Sequence, residues 1–351
     1  MNITVLAPNV SLTHLYSCLP FLRDRRHRFV LTDNWEWVLR HDRSRALILT
    51  RWFQNPPYED VEKRRVLLLR LRDKYEHLVY FDDDDSASSP CLDVLPYVDR
   101  FWKKQIYRDR SLYLRPLRGN RLFSEFYSQT ENFPSHEEPW PIPANPNDLS
   151  KMRVAWNLGV GSYPLRGWRE RAAQRLFRIG GGALSSLTFH RPRRTLSAKQ
   201  PLVQARFSAK GYSPLVARQR ALFLELVQGQ TGVASGFIAK KAYAEELTSV
   251  KAVISPFGWG EVCFRDFEAL MYGALMIKPD MTHLETFPDV YHPQLSVKWD
   301  GTDLRNKIEE VLALGPAEAQ RWVDWGWDQW SDSWNALPSR LDGLLSDWLE
   351  R

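Results

Sequence analysis

Two glycines, Gly258 and Gly260, precede Arg265 and Glu268 in the stretch Ser255 to Pro279, SPFGWGEVCFRDFEALMYGALMIKP. Lys251 to Ser255 reads as a strand end, the glycines as a loop and the residues around Arg265 and Glu268 as a helix. The helix breaks at Gly273 before a second strand, Ala274 to Ile277. A glycine loop feeding a helix leaves backbone N–H groups unpaired at the positive end of the helix dipole, which suits a diphosphate. Arg265, about one turn in, adds a forked cation. Glu268 follows three residues later on the same helical face. Its carboxylate only accepts hydrogen bonds, which suits two vicinal sugar hydroxyls. Trp259 and Glu261 belong to the same loop.

Arg265, Phe267, Glu268, Ala269, Leu270, Gly273 and Ala274 together resemble the donor-binding element of GT-B glycosyltransferases, of the bacterial polysaccharide and exostosin-like kind. The resemblance implies a nucleotide-sugar donor, with Glu268 on the ribose hydroxyls and the Gly258–Gly260 loop facing the diphosphate. Many retaining members carry two glutamates separated by seven residues. Here Gly260 stands in the first glutamate's place and Glu261 comes one residue later, so the contact to the donor sugar and the stereochemical outcome stay open.

A second concentration of chemistry is Asp82-Asp83-Asp84-Asp85, directly after the strand-like His77 to Phe81. Acids at the carboxyl end of a parallel strand point into the sheet's crevice. Adjacent carboxylates repel, so at least one is expected to have a raised pKa and to serve as the base that deprotonates an acceptor hydroxyl. The same acids can instead cap the next helix. Their Asp-x-Asp spacing also fits a GT-A-like enzyme, in which two carboxylates hold a divalent metal against the donor diphosphate. His14, in the first strand–helix connection, is an alternative base. Arg206 and Lys210, in the loop after Leu202 to Phe207, are candidates to neutralise the leaving diphosphate without a metal. Asp280 and His283 follow the strand after the Glu268 helix and are candidates to line the donor sugar. For all of these, surface charge or a structural role is the plain alternative.

The 351-residue chain is long enough for two domains, and its 44% hydrophobic and 26% charged content fits a soluble globular protein. No apolar run approaches bilayer length, and Met1 to Pro8 does not read as a signal peptide. Three cysteines without metal or disulfide spacing fit a reducing cytosol. Between Arg166 and Lys199 stand Arg169, Arg171, Arg175, Arg178, Arg191, Arg193 and Arg194 against one acid, Glu170. Such a segment suits anionic lipid headgroups at the inner membrane face, a lipid-linked acceptor or, as a rival, nucleic acid; a solvated basic surface is the plain alternative.

Positioning these residues requires two α/β units. Short strands at Ile3 to Ala7, Arg28 to Thr32, Ala46 to Thr50 and His77 to Phe81 alternate with helical stretches at Leu12 to Leu22 and Tyr58 to Tyr75. A helix is expected over Leu92 to Tyr107 and a strand over Ser111 to Pro116. The proline-rich residues 133–149 read as a linker. A second α/β series is expected to start with Met152 to Asn157. It continues through strands near Leu202 to Phe207 and Gly236 to Ile238, helices Pro214 to Gln228 and Lys240 to Leu247, and a last strand Gln294 to Trp299. Three closing helices follow, Thr302 to Leu314, Pro316 to Trp327 and Ser331 to Leu349. The expected fold class is therefore α/β, with two Rossmann-like domains facing a cleft, GT-B-like. The expected boundaries are 1–150 for acceptor, 151–330 for donor and 331–351 for a helix crossing back to the first domain. Trp327, Trp330 and Trp334 share a face of that helix, which suits packing more than sugar stacking. A glycosyltransferase of polysaccharide biosynthesis is expected; the rivals are the metal-dependent enzyme, a nucleic-acid-modifying glycosyltransferase and a non-catalytic nucleotide-sugar-binding protein.

Overall fold

The computed structural model describes residues 1–8, 11–54, 60–131, 133, 137–158, 168–169, 171–177 and 200–349. Pro56 and Pro57, Tyr58, Gly159 and Gly161, Arg166, Glu170 and the basic run Arg178 to Lys199 lie outside these residues.

The first half builds a parallel sheet from β1 (Asn2–Leu6), β2 (Arg28–Thr32), β3 (Ala46–Thr50), β4 (His77–Asp82), β5 (Arg100–Lys103), β6 (Gln105–Tyr107) and β7 (Met152–Val154), with β6 set apart. The strand order is β2-β1-β3-β4-β5-β7, every pair parallel. β3 reads ALILT and is buried throughout, as expected of a parallel strand covered on both faces. The second half builds β8 (Gln200–Ala205), β9 (Val233–Ser235), β10 (Val250–Ile254), β11 (Leu275–Pro279), β12 (Leu284–Thr286) and β13 (Ser296–Val297). Its parallel sheet has the order β13-β11-β10-β8-β9. In both sheets the first strand lies between its second and third, so strand order reverses beside β1 and beside β8. Crossover helices complete two Rossmann-like units, the GT-B-like plan expected from the sequence.

The halves are joined in three ways. β6 and β12 form an antiparallel pair across them, with Gln105 opposite Thr286 and Tyr107 opposite Leu284. A single apolar cluster includes Leu6, Tyr80 and Phe101 from one side and Phe257, Phe267 and Met276 from the other. The last helix, Pro316–Leu349, is one 34-residue element where two were expected. Near its start Gly326 passes so close that an added Cβ would stand 2.9 Å from Leu270. Near its end Leu341, Leu345 and Trp348 enter the first half's core, with Trp348 edge-on to Trp102 at 5.7 Å. Asp347 there accepts from Arg100 and Arg153. Trp330 and Trp334 stack at 5.2 Å, and Trp327 and Trp334 pack against the main core, so these tryptophans serve packing. No helix among the described residues is long and apolar enough to cross a membrane.

Four further expectations are corrected. Leu92 to Tyr107 is a 3-10 segment, Leu92–Tyr97, followed by β5 and β6. Pro96 disfavours continued helix, and the aromatic and β-branched side chains of Phe101, Trp102, Ile106 and Tyr107 suit strands. Ser111 to Pro116 is a 3-10 turn, Arg110–Leu114, opened by the Asp109 carboxylate accepting from the Ser111 N–H. Met152–Val154 does not open the second series: it pairs with β5 and closes the first sheet. Leu12 to Leu22 is two helices, Leu12–Ser17 and Leu19–Arg23, divided at Cys18 just before Pro20.

Candidate active site at the seam of the two sheets

Strand order reverses between β1 and β3, and the connections leaving these strands carry His14 and Arg51. Ser11 caps the helix Leu12–Ser17 by accepting from the His14 N–H, which fixes the histidine in the first turn. His14 Nδ1 lies 2.8 Å from Asp83 Oδ2, and Nε2 lies 3.1 Å from Thr50 Oγ1. A carboxylate only accepts, so Nδ1 donates to Asp83 and Nε2 is left as the ring's accepting atom. The Thr50 hydroxyl donates its proton to the Leu6 carbonyl at 2.9 Å, and its oxygen faces Nε2. Two candidates from separate parts of the sequence, His14 and Asp83, thus form one buried pair.

The four acids divide by partner. Asp82 pairs with the fully buried Lys103 at 2.9 Å. Asp83 also faces Arg51 Nε at 3.1 Å, and Asp84 takes the other end of that guanidinium. Asp85 has a half-exposed carboxylate with Lys104 at 3.7 Å. The expected raised pKa is reversed at two positions. Burial works to raise Asp83, but His14 and Arg51 beside it outweigh burial and hold its carboxyl far below the usual range. Burial also opposes Asp84, which Arg51, Lys103 and the Ser86 N–H bring down. Repulsion among the acids is answered by cations: Lys103 beside Asp82, Arg51 beside Asp83 and Asp84, and Lys104 beside Asp85.

The second half presents its own reversal point beside β8. The helix Phe264–Met271 starts with a capping box in which Asp266 Oδ2 accepts from the Cys263 N–H. Asp266 also accepts from Ser255, from Lys278 at 2.9 Å and from Tyr291 at 3.1 Å. Arg220 holds the loop in front of that helix by donating to the Phe257 and Ser208 carbonyls. Arg265 Nη2 donates to the Arg206 carbonyl at 3.0 Å, while the Arg206 side chain pairs with Glu246 at 2.7 Å. Glu268 is buried and accepts from the Tyr243 hydroxyl at 2.6 Å. Burial raises the Glu268 pKa against the pull of that bond and of Arg265. Lys210 stands exposed in the loop that follows β8.

The two reversal points meet. An added Cβ on Gly260 would stand 1.6 Å from the Asp85 carbonyl oxygen, so glycine is required there by close approach of the first half. Glu261, fully buried, accepts from the Ala87 N–H at 2.8 Å. Burial raises its pKa, with the Ala87 N–H working the other way. Arg121 donates to the Trp259 carbonyl at 2.7 Å and stacks its guanidinium 5.0 Å from the Trp140 ring. Trp259 itself is 47% exposed and lies 5.2 Å from the Tyr212 ring.

The structure therefore brings His14 to Asp83, Gly260 to Asp85 and Arg265 to the Arg206 backbone. Asp280 and His283 stand on the β11–β12 connection. Asp280 accepts from Thr282, and His283 packs between Trp299 at 4.9 Å and Tyr107 at 6.2 Å. Both His283 ring nitrogens are buried without a partner, and burial lowers its pKa to about 4. Thr50, Arg51, Tyr243 and the Asp266–Lys278 pair are not among the candidates read from the sequence, whereas Lys103 is visible there as positive charge near the acids. Thr50 and Arg51 immediately end a clear apolar strand, a signal that was available. Tyr243 and Lys278 belong to elements whose spacing carries no such mark.

No protein-family model matches the chain, and neither does any curated protein. Among solved structures it is similar to a UDP-forming α,α-trehalose-phosphate synthase from Burkholderia vietnamiensis, at 10% identity and TM-score 0.47 over 99% of each chain. It is also similar to the N-terminal domain of Candida albicans trehalose-6-phosphate phosphatase, at 9% identity and TM-score 0.46 over 99% of this chain and 96% of that one. A DNA-modifying β-glucosyltransferase, described with and without uridine diphosphoglucose, gives 9% identity and TM-score 0.37 over 99% of both chains. Likenesses at this level carry no inference about substrate or mechanism.

Proposed function

We propose that the protein is a glycosyltransferase that moves a sugar from a nucleotide-sugar donor to a glycan or lipid-linked glycan acceptor. The observation that carries this is the meeting of two strand-order reversals, each lined by different chemistry. One offers a helix N-terminus, a glycine loop and a buried glutamate. The other offers an oriented histidine–aspartate pair.

In this proposal Glu268 receives the ribose hydroxyls, replacing the bond it now accepts from Tyr243. The Gly258–Gly260 loop and the first turn of the Glu268 helix face the diphosphate, and Lys210 adds charge as the leaving group departs. The diphosphate is stabilised by these protein groups without a metal. His14 is the general base: Asp83 holds its Nδ1–H, so Nε2 is the atom that takes a proton from the acceptor hydroxyl. This replaces the sequence-based choice of an acid from Asp82 to Asp85, because Asp83 and Asp84 are held ionised by neighbouring cations and are weak bases. Asp85, the half-exposed acid, is the runner-up. Three free cysteines, Cys18, Cys91 and Cys263, are consistent with work in the cytosol.

A thermal-shift screen of nucleotides and nucleotide-sugars on the wild type and Glu268→Ala tests the donor half. A matching nucleotide raises the melting temperature of the wild type and fails to do so for the variant. No stabilisation by any nucleotide, or equal stabilisation of both proteins, sinks the proposal.

A further inference from the structure

We propose that the short helix at 171–177, together with Trp168 and Arg169 before it, is a docking surface for an anionic lipid bilayer. At 100° per residue, residues 171–177 divide into two faces. Ala173, Gln174 and Phe177 are turned inward, exposed by 5%, 4% and 0%. Phe177 meets Tyr16 edge-on at 5.7 Å, and both belong to the first half's core. Arg171, Ala172, Arg175 and Leu176 occupy the opposite face, and all are exposed. Leu176 is 52% exposed and Trp168 is 69% exposed, while the Arg169 guanidinium sits 5.6 Å from the Trp168 ring.

This surface combines three properties. Its apolar members are large and exposed, its charged groups among the described residues are all guanidinium groups, with one acid, Glu170, between Arg169 and Arg171 in the sequence, and the helix is anchored to the core through its other face. An indole at the water–lipid boundary keeps its ring among acyl chains and its N–H in the headgroups. Arginine stems lie along the apolar surface while the guanidinium forks reach lipid phosphates. A rigid, anchored helix loses little freedom on docking. Charge complementarity therefore selects a bilayer carrying net negative headgroups over a neutral one. The anchor also sets the geometry. Tyr16 lies two residues from His14 on the helix Leu12–Ser17, so docking would bring the first half's reversal point close to the lipid surface. Docking itself does not depend on the glycosyl-transfer proposal; only the suggestion of a lipid-linked acceptor near His14 does.

Vesicle co-sedimentation tests it, using pure phosphatidylcholine against phosphatidylcholine with about a third phosphatidylglycerol. The wild type is expected to partition onto the anionic vesicles at least about tenfold more strongly than onto the neutral ones, and to be released as salt rises. Arg171→Glu with Arg175→Glu removes most of that binding, and Trp168→Ser with Leu176→Ser lowers it several-fold. Urea midpoints of all four single substitutions match the wild type, because these side chains are exposed. Equal binding to both vesicles, no binding, or undiminished binding by both double variants overturns the proposal. So does salt-sensitive binding to duplex DNA, lost in the arginine variant, without vesicle binding; that result assigns the surface to nucleic acid.

Discussion

The Asp85 carbonyl oxygen occupies the place where a side chain on Gly260 would begin, 1.6 Å from an ideal Cβ. Aligned with a pair of glutamates that have seven residues between them, Gly260 stands where the first one would be, which leaves the donor contact open in the sequence. The contact to Asp85 supplies a different cause. The acidic loop of the first half presses backbone to backbone on the glycine loop of the second, and the adjacent Glu261 turns to the first half to accept from Ala87.

Gly260→Ala is therefore expected to force the halves apart locally. Backbone atoms cannot give way as a flexible side chain would, so a loss of about 1–3 kcal/mol is expected, as for overpacking in a core. Gly258→Ala is the control: its nearest neighbour would be the Cys263 sulfur at 3.4 Å, an ordinary contact distance. Urea unfolding of both variants measures the difference. A Gly260→Ala protein as stable as Gly258→Ala would contradict the close approach.

His14→Ala should lower turnover by about 10²- to 10⁴-fold, the range for loss of a general base, while nucleotide stabilisation stays unchanged. Asp83→Asn should also lower turnover, since an amide does not favour the His14 tautomer with Nε2 free to accept. Asp85→Ala separates the alternatives. If Asp85→Ala brings that 10²- to 10⁴-fold loss and His14→Ala keeps most of its activity, the base is Asp85. Turnover and nucleotide melting shifts on the same preparations measure both.

The parallel architecture was legible because it rests on strong local signals. Runs such as ALILT at β3 and AVI at the end of β10 have a single plausible fate, and the glycine–helix–strand punctuation around Glu268 marks its own boundaries. The failures share a cause, which is that they depend on partners distant in sequence. β5 and β6 hold together through pairing with β4, β7 and β12, and no local pattern in Leu92 to Tyr107 announces those neighbours. The acids from Asp82 to Asp84 looked mutually repulsive for the same reason: their counter-charges, Arg51 and Lys103, come from other strand ends. His14 and Asp83 were each visible, but their pairing needed the order of the sheet.

The Asp266–Lys278 pair gives a stability prediction. Both side chains are buried, and Lys278 reaches both carboxylate oxygens at 2.9 Å. Lys278→Met leaves Asp266 charged without its main counter-ion and should cost about 3–5 kcal/mol. Adding Asp266→Asn should recover part of this, since no unpaired charge then remains. A double-mutant cycle by urea unfolding measures the coupling; strict additivity would show the pair to be unimportant.

His283 predicts a pH dependence. Its ring is held neutral by burial, with a pKa of about 4 against an ordinary value of 6.5. The unfolded chain therefore binds a proton that the folded chain refuses throughout that interval. Stability rises with pH wherever the unfolded state holds more protons, so the contribution is fully present above about pH 6.5. It falls as pH drops toward 4. Allowing for the ring's partial exposure to solvent, the loss is about 1–3 kcal/mol. His283→Phe keeps an aromatic ring between Trp299 and Tyr107 and removes the titration. Urea midpoints at pH 7 and pH 4.5 should fall less in the variant than in the wild type. If both proteins lose the same amount, His283 is already protonated or solvated in the native state, and the acid sensitivity lies with the carboxylates facing Arg51 and His14.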